Sequence, residues 1–145
     1  METNILNYED TFVVEVLAQK LNLSKEKASD LFRDTVQFLY LCSTSDKSLA
    51  PPRAIDDAWH EFISCTENYR IFCNELGVFI DHRPAINGVV VGVSETLYEL
   101  HARTLTLAKN YFGKLSPNFQ SGTDALKWCC HSVPEPRPTP KPKFA

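Results

Sequence analysis

The chain contains no apolar run near the ~20 residues that a bilayer-spanning helix requires. Its first ten residues, METNILNYED, carry acidic and polar side chains where a secretory leader would place basic and then apolar ones, so no signal peptide is expected. A basic excess is also missing. The formal net charge is −3 and the pI about 5.8, which argues against a large nucleic-acid footprint. No Gly-x-Ser-x-Gly elbow, Gly-rich phosphate loop or Cys-x-x-Cys pair occurs, which removes the most recognisable signatures of hydrolases, nucleotide-binding loops and zinc ribbons. The five cysteines, Cys42, Cys65, Cys73, Cys129 and Cys130, form an odd set without secretory context. They read as reduced thiols or metal ligands in a cytoplasmic protein.

What is present is enough for a core. The 145 residues are 43% hydrophobic and 23% charged, with 9 Phe, 5 Tyr and 2 Trp. That composition suits one globular domain. The pattern predicts an all-α fold of about five helices in one bundle over residues 1–132, followed by a flexible Pro/Lys tail over 133–145.

Phe12, Val13, Val16 and Leu17 give the first helix, about Glu9 to Leu21, its apolar face. Ser24 caps a second helix carrying Ala28, Leu31, Phe32, Val36 and Leu39, which stops within Ser43–Ser48. Pro51-Pro52 mark the start of a third, about Arg53 to Thr66, where Ile55, Ala58, Trp59, Phe62 and Ile63 fall on one stripe. A link at Glu67-Asn68 leads to a short fourth helix with Tyr69, Phe72, Cys73 and Leu76, stopped by Gly77. Residues 78–93 hold two β-branched runs around Asn-Gly and read as an ordered loop or short β-pair. Ser94 caps a fifth helix ending at Gly113, and a helical turn near Thr123–Cys130 follows.

Chemistry concentrates between Pro51 and Pro84. Asp56 and His60 are one helical turn apart, so the carboxylate can orient or charge-pair with the imidazole. The hairpin of helices three and four, with the loop behind it, can bring Cys73 and His82 towards that pair. Asp56, His60, Cys73 and His82 are therefore the candidate metal ligands, with zinc as the expected ion because it takes four Cys, His or carboxylate donors. The plain alternative is a hydrogen-bonded histidine locking a hairpin, with Cys73 a small core residue. Cys129-Cys130-His131 is read as a mildly apolar end, with Trp128 docked on the core.

Two further functions bear on this sequence. Residues 11–41 have a helix–turn–helix rhythm around Leu-Ser-Lys, but Lys25, Glu26 and Lys27 mix signs where base-reading side chains belong, so a plain helical hairpin is preferred. A Cys–His nucleophile built from Cys73 and His60 or His82 requires an accessible thiolate, which an apolar helix face does not provide.

The ordered set Asp56, Trp59, His60, Tyr69, Cys73, Gly77 and His82, together with FLYLC (Phe38–Cys42) and IDDAWHEFI (Ile55–Ile63), resembles the glycine-rich-domain-containing protein-like family, as a short bacterial or phage-type member. The resemblance implies a helical module without a settled activity, and it groups Asp56, His60, Cys73 and His82 into one shared site. Members of that family carry a second histidine where this chain has Phe62.

The expectation is thus a small intracellular helical binding or adaptor module with one structural metal site and a protein partner. No membrane or nucleic-acid partner is expected, the sequence points to no particular small-molecule substrate, and no catalytic or cofactor-binding residue is expected beyond the metal set. The alternatives are a metal-assisted or Cys–His enzyme using the same cluster, and a nucleic-acid or regulatory partner of residues 11–41.

Overall fold

The computed structural model describes residues 5–86, 89–90, 93–120 and 130–131. It is all-α in class, and five helices are resolved along their length among the described residues: α1 (Thr11–Lys20), α2 (Lys25–Thr44), α3 (Arg53–Ser64), α4 (Thr66–Leu76) and α5 (Leu97–Phe112). A 3₁₀ turn, Pro117–Gln120, follows α5. Among the described residues no helix is long and apolar enough to cross a membrane.

Local chemistry sets the helix ends. Asp10 caps α1 by accepting from the Val13 amide at 3.1 Å, and Ser24 caps α2 by accepting from the Lys27 amide at 3.1 Å. Gly77 closes α4 in the left-handed region at φ 95°, a conformation that costs a residue without Cβ nothing. The cap of α5 is Thr96, which accepts from the Glu99 amide, and not Ser94 as expected. Thr96 stands one residue before Leu97, where the buried face begins. The turn between α3 and α4 is also tighter than expected. Cys65 alone separates them, and Glu67 and Asn68 already lie in the first turn of α4.

The longest helix, α2, forms the centre of the main core. Val36, Phe38 and Leu39 from α2 meet Ile55, Trp59 and Phe62 from α3 and Phe72 from α4, all fully buried. Phe38 meets Trp59 edge-on at 5.5 Å between ring centroids, and Phe32 meets Phe62 at 5.2 Å. On α1 the buried set is Val13, Val14 and Leu17. Phe12 is exposed, one helical step off the expected stripe. A smaller cluster joins Ala50 to Val90, Val93, Leu97 and Leu100, seating α5.

The β-branched stretch forms a short antiparallel pair, β1 (Arg83–Ile86) with β2 (Val89–Val90), in the register Ala85 to Val90. A third strand, β3 (Cys130–His131), pairs with the other edge of β1, placing Arg83 opposite His131. Cys130 is therefore extended and does not end a helical turn, because its backbone pairs with Pro84 of β1. Thr123 to Cys129, with Trp128, and the tail 133–145 lie outside the described residues.

Candidate functional site

Asp56 sits in the first turn of α3, on the flank of the stripe that buries Ile55 and Trp59, so its carboxylate is carried into the protein with them. Its side chain is only 6% exposed. His60 lies one turn further along the same helix, at 47% side-chain exposure, and brings Nε2 to 3.4 Å from Oδ2 of Asp56. His82 arrives from the opposite direction, just before β1, and brings its Nε2 to 3.4 Å from Oδ1 of the same carboxylate. The two imidazoles face each other edge to face, with ring centroids 4.1 Å apart.

One donor atom from each of Asp56, His60 and His82 lies within 4.8 Å of the other two. The two imidazole nitrogens approach different oxygens of the Asp56 carboxylate, a spacing that makes long hydrogen bonds to it and also leaves the three side chains close enough to share one ion.

Burial pushes the Asp56 carboxyl up, but hydrogen bonding and charge from His60 and His82 outweigh it and hold the carboxyl below its usual range. An ionised carboxylate beside two imidazoles is a hard–borderline donor set suited to zinc-class divalent ions.

Cys73 is not in this group. Its thiol is buried, within hydrogen-bonding reach of the Ile80 backbone and the Tyr69 hydroxyl. Burial raises its pKa, opposed by those two contacts, so at neutral pH it is a thiol and not a poised thiolate. The structure thus brings together three of the four expected residues, Asp56, His60 and His82, while Cys73 lies in the buried stripe of α4.

Residues 3–91 match the UCP032817-like family, which is more than half of the chain. The chain belongs to the UCP032817-like family. This corrects the resemblance to the glycine-rich-domain-containing family. No curated protein and no solved structure is significantly similar to the chain. All three members of the Asp56 group fall within the span matched by the UCP032817-like family, which ends before α5.

His101 on α5, absent from the expected site residues, is a buried polar side chain at 7% exposure. Its Nε2 has no hydrogen-bond partner among the described residues, and burial pushes its pKa down. Its signal was there in the i, i+4, i+7 stripe of Leu97, His101, Thr104 and Ala108, in which every position is buried.

Proposed function

We propose that this protein is a small helical binding module that takes one zinc-class divalent ion on Asp56, His60 and His82. The observation that supports this reading is the pair of 3.4 Å contacts from one buried carboxylate to two imidazoles on separate elements. An ion there would tie the loop preceding β1 to the start of α3, a long-range clip that adds folding free energy in a chain of this size. When bound, such an ion supplies Lewis acidity and fixes the orientation of its ligands.

The second reading, a metal-assisted enzyme, draws support from a different observation. Three protein ligands leave a fourth position, and the half-exposed His60 puts the group at the surface, where a water or a substrate oxygen can reach it. The two readings share the ion and differ in whether that fourth position exchanges. Metal content measured on protein purified without chelator tests both. The expected result is one zinc-class ion per chain, removed by replacing His82, and absence of any stoichiometric ion rejects both.

A further inference from the structure

His82 reaches the group from a loop, and a loop needs something to hold it. The sequence distance from Gly77 to β1 is short, yet Phe79 in it is 58% exposed while Ile80 is fully buried. Ile80 is therefore the anchor of the segment, and its backbone shows why. The Tyr69 hydroxyl donates to the Ile80 carbonyl at 2.6 Å and accepts from the Trp59 indole N–H at 3.0 Å. The Ile80 backbone also hydrogen-bonds to the Cys73 thiol. Two residues later the His82 ring stands edge-on against the Trp59 ring, with centroids 4.2 Å apart.

The relay is thus closed on itself. Trp59, which immediately precedes His60, contacts Tyr69 with its N–H and His82 with its ring. Tyr69 in turn fixes the carbonyl two residues before His82. Burial pushes the Tyr69 phenol far up, so it stays protonated and keeps its one donor for Ile80. A core tyrosine kept only for packing would not need a hydroxyl engaged on both sides. Phenylalanine would fill the same space without leaving a buried O–H to satisfy.

We infer that Tyr69 is a positioning residue of the metal group: its hydroxyl, braced by Trp59 and assisted by Cys73, sets where His82 presents Nε2 to Asp56. This rests on the metal reading proposed above. It also gives Cys73 a role in the site without making it a ligand. Groups that orient ligands in this way characteristically change metal affinity ~10–100-fold when removed.

The test is a titration of the full chain with Co(II), followed by Zn(II) competition, comparing wild type, Tyr69→Phe and Ser116→Ala. Ser116 donates to buried Asp34 at 2.5 Å, so its loss perturbs stability through a hydrogen bond outside the relay. The expected result is a Kd weaker by about 10–100-fold in Tyr69→Phe with an altered Co(II) visible band, and a wild-type Kd and band in Ser116→Ala. If Tyr69→Phe does not fold, Cys73→Ala takes its place, since it loosens the same hold on Ile80. Wild-type affinity in the folded Tyr69 or Cys73 variant overturns the positioning role alone. Equal weakening in Ser116→Ala overturns it too, by showing a general effect of stability. No Co(II) binding by wild type overturns the metal reading and this inference with it.

Discussion

Oδ1 of Asp56 and Nε2 of His82 stand 3.4 Å apart although one residue opens a helix and the other closes a loop. With His60 at the same distance from the second carboxylate oxygen, one buried anion joins two elements that the chain order separates. Three different measurements follow from the way these and two other buried polar groups are held.

The two histidines should not behave alike when the ion is absent. His60 is half exposed, and an ion pair in that setting is worth about 0–1 kcal/mol, so His60→Ala should lower apo stability by no more than that. His82 is nearly enclosed and also packs on Trp59, so His82→Ala leaves Asp56 short of a buried partner. It should cost about 1–3 kcal/mol. In metal titrations, by contrast, both variants should lose most of their affinity. Chemical denaturation with and without chelator, paired with those titrations, checks the split. Equal apo losses for the two variants would go against it.

His101 should make the fold acid-sensitive. Its folded-state pKa is lowered by burial, so below its ordinary value of about 6.5 the unfolded chain binds a proton that the folded chain refuses. Its contribution to stability is therefore fully present above pH ~6.5 and declines as pH falls from there towards the folded-state value. His101→Leu removes the group. Denaturation midpoints measured from pH 7.5 to 5 should fall less steeply in the variant than in wild type. Parallel curves would show that His101 protonates without opposing the fold.

Asp34 on α2 is 2% exposed and accepts from Ser116 Oγ at 2.5 Å and Asn118 Nδ2 at 2.8 Å, pinning the 3₁₀ turn after α5. Asp34→Ala strands both donors and should destabilise the protein by about 1–3 kcal/mol. The loss should centre on the turn that carries buried Phe119, seen as faster amide exchange over residues 116–120 than over α3. Uniform exchange throughout would place the cost elsewhere.

These cases also show what was legible in the sequence. The α3 stripe was readable because Ile55, Ala58, Trp59 and Phe62 recur at helical spacing, and Ser24 and Gly77 mark their helix ends by chemistry that acts within a turn. The nearness of Asp56 to His60 follows from the same local geometry. What periodicity could not give was the direction of Cys73. Two buried stripes on adjacent helices both point at the core, and only the one-residue turn at Cys65 decides which polar flank faces His82. Pairing of β1 with Cys130–His131 was equally out of reach, since it joins segments far apart in the chain through backbone groups that every residue carries. His101 went unread for the opposite reason: a histidine inside an apolar stripe looks like an interruption of it until its burial is known.

The most direct measurement is calorimetric titration of chelator-stripped protein with Zn(II), run beside Asp56→Asn. That variant keeps the shape of the side chain and removes the charge shared by His60 and His82. Saturation at one ion per chain in wild type, with affinity lost in Asp56→Asn, is the predicted result. Absence of saturable binding in wild type, or equal binding by both proteins, would contradict the assignment of Asp56, His60 and His82 as a metal site.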